Sequence, residues 1–228
     1  MIITIDGPVA TGKSTIARKL AEELGYIYFD TGAMYRALTW FAMQRKCNFE
    51  DPAALEALLD DFQFEIKIKR KERLYIVNKQ DVTKEIRSPE VTGEVSKIAA
   101  KAAVRERLVT IQRKFADGVN AVFEGRDMGS VVFPHAPLKI FLTASPEIRA
   151  KRRFHELQIL FPMESEHLTF ETALENLNAR DAYDTTRQTS PLKRADDAYE
   201  IDTSELTIDE VVMKILELRD SKKISFNR

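Results

Sequence analysis

Short apolar runs alternate with longer amphipathic stretches along most of the chain. Such alternation is typical of a parallel sheet whose strands are connected by helices that cover it. We therefore predict an α/β fold with a parallel five-stranded sheet flanked by helices. The predicted core strands are Ile2 to Ile5, Tyr26 to Phe29, Asn120 to Phe123, Leu138 to Leu142 and Ala198 to Ile201.

The amphipathic stretches predict the helices. After the first run, apolar residues recur at a spacing of 3.6 from Ile16 to Leu24 and stop at Gly25, a typical C-terminal cap. Further helices are predicted over residues 33–46, 52–61, 90–116, 146–158, 169–182 and 207–218. The polar residues 221–228 are predicted to form a loose tail.

One region breaks the alternation of strands and helices. In residues 62–86, Phe64, Ile66 and Ile68 alternate with polar residues, and Leu74 and Ile76 do the same after a charged turn. This period of two predicts an antiparallel hairpin with a third short strand. We interpret residues 62–90 as a small antiparallel β insert within one domain that spans residues 1–228.

Composition limits the partners of the chain. The 228 residues are 44% hydrophobic, and 35 basic and 36 acidic residues give a net charge of -1. We therefore expect a globular protein that binds neither nucleic acid nor a membrane surface. The single cysteine, Cys47, fits a reducing compartment. No apolar run approaches the ~20 residues of a membrane span. No long apolar seam is present, which favours a monomer. The sequence thus predicts a cytoplasmic monomer.

The segment GPVATGKST, which we call the glycine loop, follows the first predicted strand and begins the first predicted helix. It matches the phosphate-binding pattern G-x-x-x-x-G-K-[ST], in which backbone N–H groups surround a nucleotide's phosphates. Lys13 is expected to reach the β and γ phosphates, and Ser14 to bind Mg²⁺. The plainer alternative is a turn that needs glycine for geometry alone. The predicted ATP-binding residues are Gly7, Pro8, Val9, Ala10, Thr11, Gly12, Lys13, Ser14 and Thr15.

Such a loop fits a kinase or a GTP-binding regulatory module. A GTP-binding module should also carry the guanine-recognising pattern N-K-x-D, and NKQD occurs at residues 78–81. That match lies in the predicted hairpin insert, and no strand-ending D-x-x-G accompanies it, so ordinary turn chemistry is the simpler interpretation. A kinase acting on UMP or on a metabolite hydroxyl remains a further alternative.

A kinase needs an acceptor site with cations for the transferred phosphoryl group. Asp30 and Thr31 end the second strand, and Arg36 lies in the helix that follows. Arg126 and Asp127 end the third strand in the same way. Ligands of open α/β sheets bind at these carboxyl ends, although each residue alone could be a helix cap or part of a surface ion pair.

A further charged group lies near the C-terminus. Arg180, Asp184 and Arg187 in RDAYDTTR have the i, i+4, i+7 spacing of one helix face. A solvated face would show the same pattern.

Taken together, IDGPVATGKST, DTGAMYRA, EGRDMGSVVFPHAPLKIFLTAS, RDAYDTTR and ADDAYEIDTSELTIDEVV resemble bacterial-type cytidylate kinases, in order and over essentially the whole chain. The resemblance implies the P-loop NTP-kinase fold and a nucleoside-monophosphate insert that coincides with residues 62–90. It also implies a mobile helical lid at about residues 149–187. The implied reaction transfers the γ-phosphoryl group of ATP to CMP or dCMP, giving CDP or dCDP, with Mg²⁺.

The resemblance also implies roles for individual residues. Lys13, Arg126 and Arg187 match catalytic positions. The implied acceptor-binding residues are Arg36, Arg126 and Arg187 for the phosphate, Ser96, Arg105 and Asp127 for the cytosine, Arg180 and Asp184 for the pentose, and Thr31, where relatives often carry serine.

The chemistry of cytosine supports the base-binding assignment. Its N4 amino group donates a hydrogen bond, and its N3 and O2 atoms accept, which suits the Asp127 carboxylate and the Arg105 guanidinium. Uracil would present its O4 acceptor to Asp127, so we predict CMP and dCMP to be preferred over UMP.

The chain departs from the family pattern in the predicted lid. Tyr183 and Thr185 stand where some relatives carry arginines. The predicted lid therefore carries fewer cations. One or two of Arg149, Arg152 and Arg153, at its start, are expected to face the phosphates.

Overall fold

A computed structural model of the chain describes residues 1–70, 72–163 and 165–226. The described strands are β1 (Ile2–Asp6), β2 (Ile27–Asp30), β3 (Phe64–Lys69), β4 (Glu72–Val77), β5 (Gln80–Asp81), β6 (Ala121–Gly125), β7 (Leu138–Thr143) and β8 (Tyr199–Asp202). The described α-helices are α1 (Lys13–Leu24), α2 (Thr31–Gln44), α3 (Pro52–Asp61), α4 (Pro89–Ala99), α5 (Ala102–Phe115), α6 (Pro146–Leu160), α7 (Phe170–Thr186) and α8 (Ile208–Phe226).

The main sheet has five strands in the order β2-β6-β1-β7-β8. β1 lies at its centre and runs parallel to β6 on one side, with Asp6 opposite Gly125, and to β7 on the other. Its inner strands read as nearly continuous apolar runs because helices cover both faces of a parallel sheet. The predicted five-stranded parallel sheet is confirmed, with strand ends displaced by one or two residues.

The chain divides into two compact units. The first consists of Met1–Phe29 and Ala116–Arg228, and the second of Asp30–Phe115. The core of the first unit lies between the sheet and helices α1 and α8, and includes Ile3, Ile5, Leu20, Leu138 and Ile215. Because a parallel sheet must bury its strands, this core fixes the strand ends that carry the glycine loop and Arg126.

The second unit contains the predicted β insert. Strands β3, β4 and β5 form an antiparallel sheet, and Phe64 lies opposite Val77 in the register of the hairpin. Phe64, Tyr75 and Val77 are buried in one apolar cluster with residues of α2, α3, α4 and α5. The three-stranded insert is confirmed. Lys71, in its predicted charged turn, lies outside the described residues.

The segment NKQD consists of the two-residue turn after β4, Asn78 and Lys79, and the two residues of β5. Asn78 and Lys79 have φ values of 47° and 71°, as a two-residue hairpin turn requires. The Asn78 side chain accepts a hydrogen bond from the Gln63 N–H and donates one to the Asp61 carbonyl, both at 2.8 Å. These local bonds favour the turn interpretation over guanine recognition.

The single helix predicted over residues 90–116 is wrong, because α4 ends at Ala99 and α5 begins at Ala102. The Arg105 guanidinium donates to the Ala99 carbonyl at 3.2 Å and so satisfies a group that the end of α4 leaves unpaired. The loose tail predicted from residue 221 is also wrong, since α8 continues to Phe226. The rest of that predicted tail, residues 227–228, lies outside the described residues.

Candidate active site

The glycine loop connects β1 to α1 and passes very close to β7. Gly7 has φ +147°, and a Cβ atom built there would lie 2.2 Å from the Leu142 carbonyl oxygen. Glycine is therefore the residue that the backbone can accommodate at this point. The close approach brings the loop to the carboxyl edge of the sheet.

The N-terminus of α1 is open to a ligand. Gly12, the N-cap residue, is in the left-handed conformation and has no side chain with which to cap the first N–H groups. The first N–H groups of a helix have no partner within the helix, and they attract anions. The predicted phosphate site therefore has the local structure that it requires.

Lys13 lies folded onto the glycine loop. Its side chain is buried, and Nζ donates to the Pro8 carbonyl at 2.5 Å and to Thr11 Oγ1 at 3.4 Å. Burial lowers the pKa of the Lys13 ammonium well below its ordinary value, and the nearby Arg126 charge lowers it further. Glu124, Asp6 and Asp181 act in the opposite direction, and a bound polyphosphate would add further negative charge that favours the protonated amine.

The glycine loop is also bonded to α6 and α7 within the first unit. The Arg149 guanidinium donates to the Val9 carbonyl at 3.2 Å and forms an ion pair with Asp181. The Val9 N–H donates in turn to the Asp181 carboxylate at 3.3 Å. Val9 is thus bonded on both sides of its backbone by the predicted lid region.

The three arginines of α6 differ in their surroundings. Arg149 is the one that contacts the glycine loop, whereas Arg152 donates to the hydroxyl and carbonyl of Thr203 at 3.0 and 2.7 Å. Arg153 pairs with Glu156 at the surface. Their sequence spacing alone did not distinguish the three.

Arg126, Asp184 and Arg187 come together in the first unit. Arg126 Nε donates to Asp184 Oδ2 at 3.1 Å, and Arg187 Nη1 lies 3.7 Å from Asp184 Oδ1. Asp184 is buried, so the end of β6 and the C-terminal part of α7 share one buried carboxylate. Arg180 lies one helical turn before Asp184 on α7. The helix face predicted from the sequence therefore includes groups that pair with Arg126.

Asp127 begins an irregular turn after β6, and Asp6 lies beneath this turn. Asp127 is 2% exposed, and its carbonyl accepts from the Val131 and Val132 N–H groups at 2.9 and 3.1 Å. The Asp6 carboxylate accepts from the Met128 and Gly129 N–H groups, each at 2.8 Å. Sequence reasoning missed Asp6; the available signal was a carboxylate at the end of an otherwise apolar strand.

The second unit carries the other predicted acceptor residues. Asp30 caps α2 by accepting from the Ala33 N–H at 2.8 Å, and it pairs with Arg36 at 3.0 Å. A Cβ atom on Gly32 would lie 3.1 Å from Arg36 Nη1, so glycine leaves room for this pair. Thr31, the first residue of α2, is buried. Arg36 is thus oriented by Asp30, the residue that caps its own helix.

Arg105 and Ser96 lie on α5 and α4. The Arg105 guanidinium carbon lies 5.5 Å from the centroid of the Tyr35 ring, and the side chain is 3% exposed. A cation over an aromatic ring is attracted by the ring's quadrupole. Ser96 is half-buried. Arg105 is therefore held in one orientation by α2 and by the Ala99 carbonyl.

A magnesium ion fits this site as a partner of the phosphates. Among residues 1–70, 72–163 and 165–226, no cluster of three or more His, Cys, Asp or Glu side chains could hold a metal. Mg²⁺ usually keeps several waters and binds substrate phosphates with few protein ligands. Ser14 is exposed in the first turn of α1, where its hydroxyl suits one such ligand.

A phosphate-binding loop at the centre of a parallel five-stranded sheet, with Arg126 directly after the neighbouring strand β6, is the arrangement of the P-loop kinase fold. Two solved structures share this fold. The gluconokinase from Sinorhizobium meliloti 1021 is 15% identical, covers 99% of this chain and 96% of its own, and gives a TM-score of 0.51. The shikimate kinase from Acinetobacter baumannii is 16% identical, covers 97% and 94%, and gives a TM-score of 0.51.

Sequence comparison identifies the family. The cytidylate kinase family matches residues 3–221. The cytidylate kinase of Protochlamydia amoebophila (strain UWE25) is 60% identical over 223 residues, 98% of each chain. That of Geobacillus sp. (strain WCH70) is 48% identical over 217 residues, 95% of each chain. The chain belongs to the cytidylate kinase family and is a phosphotransferase.

The roles of the individual site residues stay predictions.

In the part of the chain that the structure describes, no helix is both long and apolar enough to cross a membrane.

Proposed function

We propose that the protein transfers the γ-phosphoryl group of ATP to CMP or dCMP and releases ADP with CDP or dCDP. The observation that carries this proposal is the glycine loop with its uncapped helix N-terminus and buried Lys13, in a chain that belongs to the cytidylate kinase family. ATP provides the phosphates that such a loop binds.

The donor is held by backbone and by Lys13. The ATP phosphates take the open N–H groups at the start of α1, where the positive end of the helix dipole favours negative charge. Lys13 exchanges its bond with the Pro8 carbonyl for the β and γ phosphates. Ser14 would provide a hydroxyl ligand for Mg²⁺, which neutralises charge on the phosphates when it is bound.

We assign the acceptor phosphate to Arg36, Arg126 and Arg187. In the first unit, Arg126 and Arg187 share the Asp184 carboxylate and so are held near one another. In the second unit, Arg36 is held by Asp30. Buried carboxylates orient these guanidinium groups before substrate arrives, which lowers the entropy lost on binding.

The nucleoside is bound by the remaining predicted residues. We assign Asp127 and Arg105, with Ser96, to the cytosine, and Arg180 with Asp184 to the pentose. Asp127 and Arg105 are 2% and 3% exposed, so a base that cannot match them would leave buried polar groups unpaired. Thr31, buried beside Asp30 in the chain, offers a hydroxyl to the acceptor.

The reaction needs no general base from the protein. The acceptor phosphate has a second pKa of about 6 and is mostly a dianion at neutral pH. The protein provides in-line positioning and positive charge, and we propose that the lid region, residues 149–187, excludes water from the donor. A cytoplasmic location and a monomeric state stay predictions from the sequence.

A coupled assay of ADP formation tests the proposal. ATP is supplied with CMP, dCMP, UMP, AMP or no acceptor. We expect rapid turnover with CMP and dCMP, at least tenfold lower kcat/KM with UMP, and little ADP without acceptor. Turnover that is equal for UMP and CMP would contradict the base assignment, and turnover that requires GTP in place of ATP would contradict the donor assignment.

A further inference from the structure

The irregular turn after β6, residues Asp127–Pro134, is called the base turn here because it begins with the residue assigned to the cytosine. We infer that Asp6 is a positioning residue for recognition of the acceptor base: it fixes the base turn from below and so holds Asp127 in place. The inference rests on the proposed function, in which Asp127 binds cytosine.

Asp6 is bonded to the base turn through both carboxylate oxygens. Oδ1 accepts from the Met128 N–H and Oδ2 from the Gly129 N–H, each at 2.8 Å. Asp6 is 4% exposed and ends β1, where it lies opposite Gly125 of β6. Asp6 is therefore held rigidly in the sheet. Its partner in β6, Gly125, precedes Asp127 by two residues.

The backbone of the base turn depends on these bonds. Residues Met128–Val132 form one wide helical turn, in which the Val132 N–H donates to the Asp127 carbonyl and the Phe133 N–H to the Met128 carbonyl. The first N–H groups of any helical turn have no acceptor inside it. Asp6 supplies that acceptor from strand β1, whereas an ordinary N-cap residue supplies it from the position directly before the helix.

Lys139 of β7 fixes the far end of the same turn. Its buried ammonium donates to the Pro134 carbonyl at 2.6 Å and to Asp197 at 2.8 Å. Between the two fixed ends, a Cβ atom on Gly129 would lie 3.0 Å from Thr4 Oγ1 and 3.1 Å from Lys139 Cδ. The base turn thus lies directly on β1 and β7 at Gly129.

Asp6 could instead influence catalysis through Lys13 of the glycine loop. Lys13 and Asp127 are the charged groups that act on its carboxyl, so Asp6 could instead serve the glycine loop. The bonding pattern favours the base turn, because both oxygens of Asp6 are used by Met128 and Gly129. The two possibilities predict different kinetics, since one changes the acceptor and the other the donor.

The Asp6→Asn variant tests the inference. It keeps the size of the side chain but replaces one acceptor oxygen by an NH₂ group, which would face an N–H donor of the turn. We expect the KM for CMP to rise about tenfold and the kcat/KM preference for CMP over UMP to fall severalfold, by no more than in an Asp127→Asn variant. The KM for ATP should change less than threefold. Ile215→Val, in the same buried core, is the control and should leave both KM values within twofold.

A double-mutant cycle separates positioning from general loss of structure. If Asp6 acts through Asp127, the Asp6→Asn change should alter the KM for CMP less than twofold in an Asp127→Asn background. The inference would be overturned if the two substitutions raised the KM for CMP independently, so that their fold-changes multiplied in the double variant. A KM for ATP that rises as much as the KM for CMP would also overturn it.

A second variant covers the case in which Asp6→Asn does not fold. Lys139→Met keeps the apolar stem and removes the bonds to Pro134 and Asp197. It should raise the KM for CMP about threefold to tenfold, and this rise should likewise disappear in an Asp127→Asn background. An unchanged KM for CMP in whichever variant folds would overturn the inference. Failure of the wild-type protein to phosphorylate CMP would instead refute the proposed function.

Discussion

The glycine loop and the base turn follow neighbouring strands, β1 and β6, yet they use backbone N–H groups in opposite ways. The glycine loop leaves the N-terminus of α1 without a side-chain cap. The base turn has its first two N–H groups bonded to Asp6. A backbone that binds phosphate must keep its donors open, whereas a backbone that only carries a recognising side chain gains precision when its donors are satisfied.

The largest expected effect comes from closing the space at the start of the glycine loop. Gly7→Ala places a Cβ atom 2.2 Å from the Leu142 carbonyl oxygen, so the loop or β7 must move. We expect a loss of stability of about 4 kcal/mol or more, measured by denaturant unfolding, together with loss of ATP binding. Gly118→Ala is the matched control, because Gly118 has φ +70° and nothing within 4 Å of its Cβ position. It should cost about 1 kcal/mol, and equal costs would show that the approach to β7 is unimportant.

Next in size is the removal of the loop's cation. Lys13→Ala should lower kcat about 10²–10³-fold, because the charge on the transferred phosphoryl group then lacks its partner. Stopped assays at saturating ATP and CMP measure the effect. Lys19→Ala, on the same helix, removes a surface ion pair with Asp209 and serves as the control. A Lys13→Ala enzyme with nearly normal turnover would contradict the role of the loop.

The carboxylate beneath the base turn, Asp6, should affect the pH dependence of stability. Burial raises the pKa of the Asp6 carboxyl to about 7, although its two N–H partners act in the opposite direction. Because the pKa in the folded protein exceeds the ordinary value of 3.8, the contribution of Asp6 to stability is complete below pH 3.8 and is lost as pH rises through 7. The free energy of unfolding of the wild type, relative to Asp6→Asn, should therefore fall by about 2–3 kcal/mol between pH 5 and 8. Paired urea titrations measure this, and a constant difference would show that Asp6 is already ionised at pH 5.

The smallest expected effect concerns the side chain that the base turn presents. Asp127→Asn should lower the kcat/KM preference for CMP over UMP about tenfold, since an amide can donate to O4 of uracil where a carboxylate cannot. The exposed Asp117→Asn change is the control for loss of one negative charge. Unaltered selectivity in Asp127→Asn would place cytosine recognition elsewhere.

Sequence reasoning recovered the features that depend on local pattern. The apolar runs predicted all five strands of the main sheet. The period of two predicted the insert from Phe64, Ile66, Ile68, Leu74 and Ile76, whereas the residues of β4 in the buried cluster are Tyr75 and Val77. It did not predict the break between α4 and α5. At that break Arg105 turns back to the Ala99 carbonyl, and a helical pattern carries no record of such a bond.

The local order of residues therefore determined the strands, the glycine loop and the charged face of α7, because hydrophobic period and loop chemistry act over a few neighbouring residues. The tertiary structure alone decided that Asp6 lies under Met128, 122 residues away, that Asp184 serves Arg126, and that Arg149 rather than Arg153 meets the loop. These contacts depend on the order of strands in the sheet and on the packing of α6 and α7. That arrangement is set by the burial of whole elements, which the spacing of residues along the chain does not specify.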